Sequence, residues 1–124
     1  MPVIQAPPAH THELPHARFR SIATPSLGSR ENSIWRVELL GAGQDSPPHS
    51  LTREEIFVVL AGSVRVVIAG VASEAQPGDA IVVPPDTELV LGPVTERAEL
   101  LCCLPVGGQG RIAGGDLFTP PWAL

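Results

Sequence analysis

At 124 residues the chain can bury one hydrophobic core and is too short for two independent ones. Apolar residues make up 44% and charged residues 17%, which excludes a disordered polymer. The net charge is -5 and every one of the eight basic residues is an arginine, spread along the chain from Arg18 to Arg111, so no basic stripe follows a phosphate backbone and no nucleic-acid partner is expected.

No apolar run approaches the roughly 20 residues of a membrane span. The start, Met-Pro-Val-Ile-Gln, lacks the charged and apolar blocks of a signal peptide, and the expectation is a cytoplasmic protein with no membrane partner. Cys102 and Cys103 are adjacent, which is poor geometry for a disulfide and is not the spacing of a zinc knuckle. Reduced thiols are expected.

Taken in order, residues 1 to about 17 hold Pro2, Pro7, Pro8 and Pro15, which deny helix and favour an extended arm carrying His10, His12 and His16. Phe19 to Leu27 reads as an edge strand, since Pro25 has no N–H to give a central ladder. Ser33 to Leu40 alternates with period two, placing Trp35, Val37 and Leu39 on one face. Gly41 to Pro48 is a loop rich in Gly and Pro. Ser63 to Ala69 is β-branched and bounded by Gly62 and Gly70, which predicts a strand with a turn at each end.

Gly70 to Gly78 reads as a connector ending in the turn Pro77-Gly78-Asp79, and Ala80 to Val83 as a strand stopped by Pro84-Pro85-Asp86. Thr87 to Leu91 and Ala98 to Leu104 are further β segments. No capped stretch of helical period appears anywhere. Short strands separated by regular turn signals predict an all-β antiparallel sandwich or barrel. The glycine-rich tail ends with Phe118 and Trp122, aromatic residues that need a surface, and is expected to fold back on the barrel or on a partner subunit.

The stretch from Pro47 to Gly62 organises the rest. Gly43, His49, Glu55 and Gly62 stand at the spacings of a motif of the form Gly, five residues, His-x-His, three or four residues, Glu, six residues, Gly. Pro77-Gly78-Asp79, a hydrophobic strand, Pro84 and Leu89 echo a second motif that ends in a histidine. With these motifs the chain resembles the cupin family over about residues 30 to 105. The resemblance implies a double-stranded β-helix barrel, jelly-roll-like, in a single domain over 1–124. Residues 1–29 would be the arm and edge strand, 30–105 the barrel, and 106–124 a tail packed on it.

In metal-binding cupins two histidines and a carboxylate or third histidine from the first motif, with one histidine from the second, hold a divalent ion. Here His49 and Glu55 match, while Leu51 and Leu89 stand at the other two positions. Neither leucine has a lone pair to donate, and a tight divalent site needs at least three protein ligands. No cofactor is therefore expected. A metal, if held, would use His49 and Glu55, with His10 or His12 of the arm as extra ligands.

The candidate catalytic residues are His49 and Glu55, a pair in which the carboxylate orients the imidazole and raises its pKa for proton transfer. The other reading of the pair is a buried hydrogen-bonded remnant of a metal site. Trp35, Leu51, Phe57, Leu89, Leu100 and Cys102 share the inward parity and would line an apolar pocket for a small molecule, with ordinary core packing as the alternative. Cys102, among leucines, reads as an inert small hydrophobe. Arg53 is expected to pair with its neighbour Glu54 on the outside.

Three functions follow. One is a metal-independent enzyme of isomerase, cyclase or lyase type; the second is a non-catalytic ligand-binding or sensing module; the third is a metal-dependent oxygenase with a reduced ligand set. A homodimer is expected, since exposed edge strands and an arm gain by pairing.

Overall fold

The computed structural model describes residues 3–6 and 11–124, so expectations for His10 fall outside the described residues. The described chain is all-β apart from two single-turn 3-10 segments, Pro25–Leu27 and Pro121–Ala123. Its strands are β1 His12–Leu14, β2 Ala17–Ala23, β3 Asn32–Leu40, β4 His49–Leu51, β5 Glu55–Ala61 and β6 Val64–Ile68. They continue with β7 Val71–Ala75, β8 Ala80–Val83, β9 Leu89–Pro93, β10 Arg97–Pro105, β11 Gly110–Ile112 and β12 Leu117–Phe118.

These strands form two six-stranded antiparallel sheets, ordered β1-β2-β3-β10-β5-β8 and β12-β11-β4-β9-β6-β7. Period-two alternation in β3, β5 and β10 sends one set of side chains inward, where residues of both sheets form a single core cluster. Trp35, Cys102, Phe57 and Ile81 stand in one buried row across four neighbouring strands, and Val37, Leu100 and Val59 form the next. Cys103 has the opposite parity and is partly exposed.

Three differences from the expected elements have local causes. The edge strand predicted over Phe19 to Leu27 ends at Ala23: Pro25 opens a 3-10 turn, closed by Gly28 at φ 111°. β2 is also flanked by β1, with His12 opposite Phe19, so the arm supplies the edge of this sheet. Gly70 to Gly78, read as a connector, contains β7. This strand pairs only with β6 and exposes both faces except at Ala75, so its sequence carries no apolar alternation.

The β6–β7 hairpin turns on Ala69 and Gly70, at φ 49° and 81°, with Ile68 opposite Val71. Two positive φ values in a two-residue loop define a primed turn, which favours Asn-Gly. Ala69→Asn should therefore stabilise the domain by about 1 kcal/mol, measured as a raised urea midpoint at unchanged slope. A lowered midpoint would contradict this reading of the turn.

Past β10 the chain turns back along both sheets. β11 pairs with β4, and β12 extends that sheet to its edge. The indole of Trp122 stacks on Phe19 at 3.7 Å, Ser21 Oγ donates to the Trp122 carbonyl at 2.8 Å, and buried Ser33 Oγ donates to the Ala123 carbonyl at 2.6 Å. No helix among the described residues is long and apolar enough to cross a membrane.

Candidate functional site

β4 is only three residues long, yet it places both His49 and Leu51 toward the interior by alternation. Leu51 is buried, and His49 is half-buried opposite Leu89, which is fully buried. Leu89 in turn stands opposite Ile68 on β6. The row Ile112, His49, Leu89, Ile68 thus crosses four strands, from exposed Ile112 through buried Leu89 to partly buried Ile68.

His49 Nδ1 lies 2.8 Å from the Pro47 carbonyl. A carbonyl only accepts, so Nδ1 carries the proton and Nε2 of the neutral ring keeps its lone pair. Burial lowers the pKa of His49 below its ordinary 6.5, and the bond to Pro47 opposes that only partly. The expectation that Glu55 orients this ring and raises its pKa is thereby corrected. The orienting group is the backbone two residues upstream, because the Pro-Pro sequence presents a carbonyl within reach of the ring.

Glu55 begins β5, opposite Val83, and is 4% exposed. Its Oε1 is buried without a hydrogen-bond partner, and no described hydrogen bond joins it to His49. Desolvation pushes its pKa up to about 8, so the carboxyl is protonated at neutral pH. Burial first, then the neighbouring Glu55 carboxyl and Cys103, push the Cys102 thiol well up, and Cys102 remains a neutral thiol.

Trp35, Leu51, Phe57, Leu89, Leu100 and Cys102 all lie inside with exposures of 0 to 5%. The larger of the two clefts described is lined elsewhere: it opens between the β7 and β8 edges, with a volume of about 400 Å³, against Val66, Ile68, Ala75 and Ile81, with Ser73, Glu74 and Asp79 among its polar lining. Arg53 and Glu54 are both exposed and form no described ion pair with one another.

At the two remaining ligand positions of the motifs, Leu51 and Leu89 offer no donor atom beside His49 and Glu55. No group of three or more His, Cys, Asp or Glu side chains is brought together among the described residues. His12, expected as an extra ligand, belongs to β1. Its Nδ1 is 3.1 Å from Thr11 Oγ1 and its ring stands edge-on to Trp122, since pairing of β1 with β2 directs it to the C-terminal turn.

The family model described as the cupin domain matches residues 35–102, more than half of the sequence. The chain belongs to the cupin family. Solved structures of other cupin-like proteins share its fold. KdgF from Halomonas sp. is 20% identical, with a TM-score of 0.68, over 77% of this chain and 84% of that one. The polyketide cyclase RemF from Streptomyces resistomycificus is 22% identical, with a TM-score of 0.69, over 82% and 74%. Salicylate 1,2-dioxygenase from Pseudoaminobacter salicylatoxidans, seen as an adduct with gentisate, is 20% identical with a TM-score of 0.70. This cupin covers only 31% of that chain. At these identities the likeness is one of fold. A search of the curated proteins found no match.

Both cupin motifs have a structural reason here. Gly62 ends β5 at φ 69°, and a Cβ there would stand 2.3 Å from the Arg97 carbonyl oxygen. Gly78 makes the turn before β8 at φ 93°, and Asp79 Oδ2 accepts from the Gln76 amide at 2.8 Å. What sequence reasoning missed is β11, which lies beside β4 and sets Ile112 opposite His49. Three residues between glycines leave no periodic signal to find it.

Proposed function

We infer that this cupin binds a small, uncharged, largely apolar molecule and moves a proton on it, in the manner of an isomerase, cyclase or lyase. The observation that carries this reading is the Glu55 carboxyl, buried with Oε1 unpartnered at the start of β5, the strand that follows the His49 strand β4. Buried polar atoms are almost always satisfied, and one left open is available to a ligand. Protonated, Glu55 acts as the acid. His49, held by Pro47 with Nε2 free, acts as the base.

Environments that keep a carboxyl protonated and an imidazole neutral at the same pH define the two roles. Leu51 and Leu89, buried on the face of the sheet that carries His49, would supply an apolar wall, with the core that contains Trp35, Phe57, Leu100 and Cys102 packed inside the barrel. That the polyketide cyclase RemF uses the same fold is in keeping with ring closure as one such reaction. A homodimer is part of the proposal, with β8 and β7 as sheet edges open to pairing.

The test uses 2-tetralone, an uncharged aromatic ketone with exchangeable α-protons, in D2O. Proton NMR should show loss of the α-proton signal faster with protein than in buffer. His49→Ala and Glu55→Gln should each return the rate to within about twofold of buffer while the fold is kept, a loss of the order expected for a general acid or base. If the ketone binds and its α-protons exchange no faster than in buffer, the protein is a binding module and not an enzyme of this kind.

A further inference from the structure

We propose that the C-terminal hairpin β11–β12 is the specificity wall of this site, with Ile112 and Phe118 selecting a planar, uncharged ring system whose polar end meets His49. The proposal rests on the reading that the ligand engages His49. It goes beyond that reading by naming the residues that choose the ligand and the shape they choose.

Register decides which hairpin residues belong to the site. Across β4 and β11, Ile112 stands opposite His49 and Gly110 opposite Leu51; across β11 and β12, Phe118 stands opposite Gly110. Directly opposed residues share a face of the sheet, so Ile112, Gly110 and Phe118 lie on the same side as His49 and Leu51. Arg111 and Leu117 oppose one another on the other side, and Arg111 Nη1 donates to the Gly115 carbonyl at 2.9 Å. The hairpin therefore brings no cation to the face that carries His49.

Gly110 shapes this wall. A Cβ at that position would stand 2.9 Å from the Phe118 ring, so the ring lies down over the bare glycine backbone. Phe118 is nevertheless 37% exposed and Ile112 46% exposed. Exposed Ile112 thus ends the row that leads through His49 to buried Leu89, and the Phe118 ring ends the adjacent row that leads over Gly110 to buried Leu51. Flat apolar surface beside a single imidazole whose Nε2 can only accept, with no cation on its face, fits an uncharged planar ring that presents a hydroxyl, or an acidic C–H next to a carbonyl, to His49.

The experiment follows 2-tetralone binding by isothermal titration and by amide and imidazole NMR shifts. Wild type should bind saturably, with shifts at His49, Ile112 and Phe118. Ile112→Ala and Phe118→Ala should each weaken binding about fivefold, as loss of part of a buried apolar contact would. Leu117→Ala, on the opposite face of the same hairpin, should leave affinity and melting temperature unchanged. If His49→Ala weakens binding but the Ile112 and Phe118 variants do not, the wall is overturned and the function proposed above stands. If none of the three changes affinity, both fail. Failure of wild type to bind at millimolar ketone overturns the ligand class. A change in molecular mass in the two hairpin variants, at unchanged affinity, would assign these side chains to contacts between copies instead.

Discussion

Glu55→Gln is expected to make the protein more stable than wild type above neutral pH, by on the order of 3–5 kcal/mol at pH 9. The folded-state pKa of Glu55, about 8, lies above the ordinary carboxyl value of 4.5. Between those values the unfolded chain gives up this proton while the folded one keeps it, so unfolding is favoured more at each step of pH. The stability associated with Glu55 is thus complete below about pH 4.5, is lost as pH rises through about 8, and is level above that. Glutamine has no proton to lose and should abolish the decline.

His49 contributes the opposite slope. Its folded-state pKa is depressed, so its contribution is present above pH 6.5 and is lost as pH falls toward the folded value. In Glu55→Gln this second slope should stand alone. Urea denaturation across pH 4 to 9 checks both, and parallel wild-type and variant curves would show that Glu55 does not titrate as a buried carboxyl. The same substitution should end proton exchange on a bound ketone, so one variant gains stability and loses activity.

Gly62→Ala is expected to cost about 3 kcal/mol or more. Two effects combine there. At φ 69° an L side chain is strained, by about 1–2 kcal/mol, and the new methyl would overlap the Arg97 carbonyl oxygen and the Ala98 Cα, which the antiparallel ladder cannot easily move. Gly43→Ala isolates the first effect. Gly43 has φ 78° but nothing within 4 Å of the added Cβ, so its cost should stay near 1 kcal/mol. Equal losses at the two glycines, read from urea midpoints, would remove the steric part of the argument. The contrast gives separate meanings to two glycines of one motif: Gly43 serves a backbone turn, and Gly62 serves a close approach to the backbone at the start of β10.

Much of the fold is legible in the residues. Alternation in Ser33 to Leu40 and Ala98 to Leu104 places Trp35, Leu100 and Cys102 inside and Cys103 outside, because successive strand side chains leave on opposite faces whatever the tertiary context. Elements that lack this contrast are not legible. β7 is wet on both faces and β11 is three residues long, so each exists only through the neighbour that pairs with it.

The charged surface shows the same division. Arginines spread along the sequence become a group when β2, β3 and β10 align: Arg18, Arg36 and Arg97 pair with Glu38 and Glu99 on the outer face, and Arg20 stands opposite Arg36. Such exposed pairs add little stability individually, but their placement is a product of register.

By itself the sequence determined the short alternating strands and their inward parity, and its motifs resemble those of cupins, with Leu51 and Leu89 where metal-binding members carry histidines. Strand alternation follows from residue type and spacing, which act locally. Only the tertiary structure decided that Pro47, rather than Glu55, orients His49, that Glu55 Oε1 is left buried without a partner, and that Ile112 stands beside the histidine. Burial, hydrogen-bond partnership and register between distant strands are set by long-range packing, and no spacing along one strand encodes them.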